Sequence, residues 1–288
     1  MKQMDQIKLF IRKYDSMITS HVILLLILLF PLIPVGYTTN DDIRAFISAS
    51  SLSEIFHNSL DMAINQGRFS MIVTSALAMI PFLIDNTIYY KIVSFGSIII
   101  NYLLFSYSVY YFFKSKKVTF IASLFFIVFL QNSWEHNLVT SYPFVFHTGL
   151  DFLLISLILY KKYLVEKQKI SITISVCSLI ICTLCYEMFL PYLILFFIVS
   201  YVYSENRSIK KVIFNVFPVI IYFIVYVLLY LGFRIVFPSS YSGVQVGQFS
   251  LLLTLKVIYQ FSIASIPGYI IFANDYYMRD FSQSFAQY

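Results

Sequence analysis

Long apolar runs follow one another with little between them but short basic clusters, and this succession constrains the fold more than any other feature. The runs fall at 21–37, 71–84, 90–113, 118–131, 138–160, 170–186, 187–203, 212–236 and 251–273. Several approach the roughly 20 residues that a helix needs to cross a bilayer. Of the 288 residues, 59% are hydrophobic and 12% charged. That is about half the charged share of an ordinary soluble domain, so the composition predicts an integral membrane protein. Phenylalanine suits lipid and helix interfaces and tyrosine the membrane–water boundary, and the chain holds 30 and 24 of them. The net charge of +6 sits in clusters between apolar runs, without the basic and aromatic pattern of a nucleic-acid surface. No nucleic-acid partner is expected.

The basic clusters set the orientation. Lys2, Lys8, Arg12 and Lys13 precede the first run, and Lys114, Lys116 and Lys117 follow 90–113. Lys161, Lys162, Lys167 and Lys169 follow 138–160, and Arg207, Lys210 and Lys211 follow 187–203. These are 14 of the 20 basic residues, and the positive-inside rule places all four clusters in the cytoplasm. That requires one segment between residues 37 and 113 not to cross. The short run 71–84 is the one expected to re-enter or lie at the interface, within a first external loop over 38–89. The expected architecture is a single all-α polytopic domain of about eight spanning helices. It has a cytoplasmic N-terminus over 1–20, amphipathic and re-entrant segments in the first external loop, and a helix bundle over 90–273. The polar stretch RDFSQSFAQY at the end reads as a truncation. The first apolar run, 21–37, has no small-x-small cleavage site at its Gly-Tyr-Thr end and reads as a signal anchor.

Polar residues are costly at membrane depth, and here they gather towards the external side. In TTNDDIRAF, Asp41 and Asp42 follow the first run, with Arg44 close behind. Two readings fit. Asn40 and the two acids can cap a helix N-terminus, or a carboxylate can take a proton from an attacking hydroxyl. In NQGRFS, Gly67 permits a turn and Arg68 enters an apolar segment. Its fork suits phosphate oxygens, or the side chain snorkels. Glu135 and His136 stand beside Trp134, the only tryptophan, as loop residues or as ligands for a sugar or metal. Glu187 begins a helix at a hairpin, where it favours the helix dipole or reaches a cavity under the first loop. Arg234 can meet lipid headgroups or a substrate phosphate. His147 and Asp151, four apart on one helix face, are expected to share a buried hydrogen bond. Cys177, Cys182 and Cys185 read as small packing residues, since no second ligand pair accompanies them. P-loop, GxSxG, HExxH and GxGxxG motifs are absent.

The exit helix, NDDIR, the amphipathic SLSEIFHNSLDMA, QGRFS and the short apolar hairpin after it resemble the GT-C superfamily of membrane glycosyltransferases. Over residues 37–90 the layout is most similar to the O-antigen glucosyltransferase branch. The resemblance implies an inverting enzyme of the bacterial inner membrane that uses a polyprenyl-phosphate sugar at the outer face. A hydroxyl of a glycan or glycolipid would be the acceptor. It carries the general-base role to Asp41, with Asp42 as helper or alternative, and phosphate binding to Arg68 with Arg44 or Arg234. A divalent cation stays open. The competing expectations are a transporter or flippase of lipid-linked saccharides, a polysaccharide polymerase or ligase, and a non-catalytic membrane partner.

Overall fold

The computed structural model describes residues 19–27, 29–30, 33, 50–129, 142, 144–204, 207–239 and 252. Among them the chain is all-helical, with no strand. A helical stretch over 19–27 comes first. It is followed by α1 (Leu52–Gln66), α2 (Met71–Met79), α3 (Thr87–Phe113), α4 (Lys116–Phe129), α5 (Val145–Glu166), α6 (Lys169–Cys185), α7 (Ile194–Tyr203) and α8 (Ile209–Val236). Short 3₁₀ helices at Ile80–Phe82 and Glu187–Leu193 extend α2 and lead into α7.

Local signals in the sequence set these bounds. Ser51 caps α1: its hydroxyl accepts the Glu54 N–H at 3.2 Å, and the Ser50 hydroxyl donates to the Glu54 carboxylate. At the other end of α1, Gly67 takes the left-handed conformation at φ 62°. The Arg68 N–H bonds the Ala63 carbonyl at 3.0 Å and the Gly67 N–H that of Ile64 at 3.2 Å, closing a Schellman motif. Asn86 caps α3 by accepting from the N–H groups of Ile88 and Tyr89.

Among the described residues two helices, α3 with 27 residues and α8 with 28, are long and apolar enough to cross a membrane. At 1.5 Å per residue each extends about 40 Å. Only 33% of the most apolar window of α8 is buried within the protein. Phe214, Phe217, Ile221, Ile224, Leu228 and Ile235 stand exposed along it, an apolar face of the kind that meets lipid or another protein surface. By contrast, α2 has 9 residues and its 3₁₀ extension 3. Together they reach about 20 Å, short of the roughly 30 Å hydrocarbon core. They pack against α1 as a compact pair.

The main core lies among α5, α6, α7 and α8, around Leu157, Tyr160, Leu179, Phe196 and Val216. Small polar residues stitch the helix pairs. The Ser156 hydroxyl donates to the Ser175 carbonyl at 2.7 Å and Ser175 returns the bond to Ser156 at 2.8 Å, joining α5 to α6. Ser106 meets Ser123 at 2.7 Å between α3 and α4. Asn215 of α8 donates to Ser204 at 3.1 Å, at the end of α7. Such pairs let backbones approach closely and satisfy their polar groups without water. Buried Cys182 and Cys185, both reduced, fill the same role by volume.

One expectation needs correction. His147 and Asp151 are not bonded to each other. Asn101 of α3 stands between them, donating to the Asp151 carboxylate at 2.6 Å and to the His147 carbonyl at 2.8 Å. Its side-chain oxygen lies 2.7 Å from His147 Nδ1. With both amide protons already directed to acceptors, that oxygen accepts from Nδ1–H. Lys161, one of the basic cluster that follows 138–160, is 7% exposed. Its ammonium donates to the Tyr111 carbonyl at 2.7 Å and faces the rings of Tyr203 at 4.2 Å, Tyr111 at 4.5 Å and Phe112 at 5.1 Å. It caps the last turn of α3, where carbonyls lack helical partners.

Candidate functional site

The Schellman turn at Gly67 ends α1 abruptly and hands the chain to Arg68, Phe69 and Ser70. Gly67 meets two demands at once. Its backbone is left-handed, and a Cβ there would come within 2.5 Å of the Phe237 carbonyl oxygen and 3.2 Å of the Ser239 nitrogen. Phe69 anchors the turn on α8, with its ring 5.2 Å from that of Tyr226, 6.5 Å from Tyr230 and 6.3 Å from Phe233. One turn into α2, the Thr74 hydroxyl donates to the Cys185 carbonyl at 2.7 Å, with Leu184 O at 3.3 Å. That bond satisfies carbonyls left open at the end of α6 and brings α2 against the residues that follow.

Those residues supply the partner of Arg68. Tyr186 leaves α6 in extended conformation, held by an edge contact with Phe146 of α5 at 5.1 Å. Glu187 then opens the 3₁₀ helix. Arg68 Nε donates to Glu187 Oε1 at 3.1 Å, and Arg68 Nη2 makes a second, shorter bond to Oε2. Ser70 donates its hydroxyl to Oε1. Arg68 Nη1 reaches Gln66 Oε1 at 3.4 Å, and the Tyr186 ring lies 5.7 Å from the guanidinium carbon. Both charged side chains are 16% exposed. Burial pulls the Arg68 pKa down, but the hydrogen bond and charge of Glu187 outweigh it and hold the guanidinium above its ordinary value.

Arg68 and Glu187 form one polar corner of a cavity of about 360 Å³, walled by Leu190, Tyr226, Val227, Tyr230 and Leu231. The Tyr226 hydroxyl is buried beside Ser70. Arg234 lies one helical turn beyond Tyr230, whose hydroxyl accepts from Arg234 Nη1 at 3.2 Å. Its Cγ would stand 3.6 Å from a Cβ on Gly67. Three residues singled out from the sequence, Arg68, Glu187 and Arg234, therefore converge at one end of the bundle, although 119 residues separate the first two.

Asp41, Asp42, Arg44, Glu135 and His136 lie outside the described residues. Among the described residues, no group of three or more His, Cys, Asp and Glu side chains is placed to hold a metal ion. Sequence reasoning missed Ser70, Tyr186, Tyr226 and Tyr230. Ser70 belongs to the QGRFS stretch and was within reach. The tyrosines are lost among the 24 in the chain, and no spacing marks them.

What the arrangement can do follows from its parts. It offers a forked cation, a carboxylate and hydroxyls at one end, with aliphatic and aromatic walls at the other. Such a cavity suits an amphiphile with a polar head. No protein family, curated protein or solved structure matches the chain.

Proposed function

We propose that this chain is a multi-pass membrane glycosyltransferase. In this reading a sugar on a polyprenyl phosphate is transferred to a hydroxyl of a cell-surface glycan or glycolipid at the outer face of the membrane. The observation that carries the reading is the Arg68–Glu187 pair at one corner of a cavity otherwise walled by Leu190, Tyr226, Val227, Tyr230 and Leu231, with Arg234 bonded to Tyr230 one turn further along α8. An isoprenyl phosphate has the same division between an anionic head and an apolar tail. The short α2, unable to span, belongs with α1 to a re-entrant first loop that brings Arg68 to the bundle.

The chemistry divides between two sets of residues. The leaving phosphate gains charge as the glycosidic bond breaks, and guanidinium groups fixed beside it stabilise that charge. Arg68, with Arg234 nearby, takes this role. The acceptor hydroxyl must lose a proton on the opposite side of the sugar ring, and inversion follows from that geometry. Asp41 takes this role, with Asp42 as its helper or substitute. A flippase needs two compartments, whereas group transfer does not.

The test is transfer from a radiolabelled polyprenyl-phosphate sugar to a cell-surface glycan by purified protein in detergent, where translocation has no meaning. Wild-type protein is expected to label the glycan. Asp41→Asn or Asp42→Asn is expected to abolish labelling without loss of the folded protein. Full activity in both single variants removes the first-loop base, and absence of transfer with every donor tried contradicts the reading itself.

A further inference from the structure

Glu187 occupies the guanidinium fork that an anionic ligand would use. Its carboxylate accepts two N–H groups from Arg68 and the hydroxyl of Ser70. Three donors converging on one planar pair of oxygens also furnish a site for phosphate. The carboxylate lines the cavity, and it stands where the chain leaves extended Tyr186 for a 3₁₀ turn. Such a junction ties the backbone less firmly than the interior of an α-helix. Tyr226, 4% exposed, lines the same cavity beside Ser70. The cavity therefore presents a paired cation and a carboxylate that borders open space.

Building on the donor-site reading, we infer that Glu187 is an internal stand-in for the ligand's phosphate, displaced from Arg68 and Ser70 when the ligand enters. The exchange leaves the Arg68 and Ser70 donors satisfied before and after. Its cost is the release of one carboxylate into the cavity. Without Glu187, the empty site would leave a half-buried guanidinium unpaired. The internal pair thus keeps the empty site intact and lowers its affinity for anions. It also confers selectivity, because an uncharged lipid alcohol cannot compete for the fork.

The experiment measures binding of farnesyl monophosphate to protein in phosphatidylcholine nanodiscs. Farnesol, inorganic phosphate and phosphatidylglycerol serve as separate arms. Glu187→Gln is expected to tighten farnesyl phosphate binding about tenfold, with farnesol unchanged. Glu187→Asp, one methylene shorter, keeps the charge but loosens the fork, so a smaller gain of about threefold is expected. It keeps the test decisive should the glutamine variant fail to fold. Equal gains with inorganic phosphate or phosphatidylglycerol would support the exchange and make the free anion or the bilayer its source. Unchanged or weaker anion binding in the folded variants overturns the stand-in role. If binding still depends on Arg68 in that case, the donor-site reading survives. If no variant binds farnesyl phosphate, that reading falls as well.

Discussion

Arg68 and Lys161 are both cations drawn into an apolar helix bundle, and their surroundings differ in one decisive way. Arg68 is paired with a carboxylate on the wall of a cavity. Lys161 is closed in by three aromatic rings and the carbonyl end of α3, with no carboxylate partner among the described residues. Tyr203 tightens that enclosure by donating its hydroxyl to the Phe112 carbonyl at 2.6 Å. A cation whose bonds all go to backbone and rings has nothing to exchange, so it joins α3, α5 and α7. A cation whose main partner is an exchangeable carboxylate beside open space can receive a ligand.

That contrast can be broken by mutation. The largest effect belongs to Arg68→Met in the transfer assay. Loss of a cation that acts in the transition state is expected to slow transfer about a thousandfold, near 4 kcal/mol of barrier. Lys161→Met should leave the folded fraction within a few-fold of wild type in the same assay. Its deficit appears in stability instead, at about 3 kcal/mol in denaturant unfolding, from a lost charged hydrogen bond and cation–π contacts. A large activity loss in stably folded Lys161→Met would erase the distinction.

Gly67→Ala comes next. Left-handed strain and the collision with the backbone at Phe237 and Ser239 are expected to cost about 2 kcal/mol and to lower transfer by moving Arg68. The smallest effect is that of Ser51→Ala, which removes the α1 cap for about 1 kcal/mol. Hydrogen exchange should show the change confined to the first turn of α1, with Arg68 and its cavity unaffected.

The same two cations show how far the sequence could be read. Apolar runs at 90–113, 170–186 and 212–236 became α3, α6 and α8 within a few residues, because an uninterrupted apolar run leaves the backbone no alternative to internal hydrogen bonding. The shortness of 71–84 was legible for the same reason, since length alone limits what it can span. Arg68, Glu187 and Arg234 were legible as polar residues on one side. The contact of Arg68 with Glu187 was not, because it depends on how α2 docks against the end of α6 through Thr74. Lys161 was legible as one of a basic cluster, but its enclosure by Tyr111, Phe112 and Tyr203 was not, since a charge count speaks to topology and not to packing. Asn101 carried no signal beyond being polar in an apolar helix, and only the packing of α3 on α5 reveals that it separates His147 from Asp151.

The measurement that tests the account most directly is the thermal shift produced by farnesyl monophosphate in wild-type, Lys161→Met and Arg68→Met proteins in the same nanodiscs. A ligand that binds only the folded state stabilises it by about 2.7 kcal/mol at a hundred times its Kd, rising with the logarithm of its concentration, and the midpoint rises with it. Wild type is expected to show a logarithmic rise with ligand, Lys161→Met an equal rise from a lower baseline, and Arg68→Met none. An undiminished rise in Arg68→Met, with Lys161→Met the variant that loses it, would contradict the assignment of the ligand site to Arg68 and Glu187.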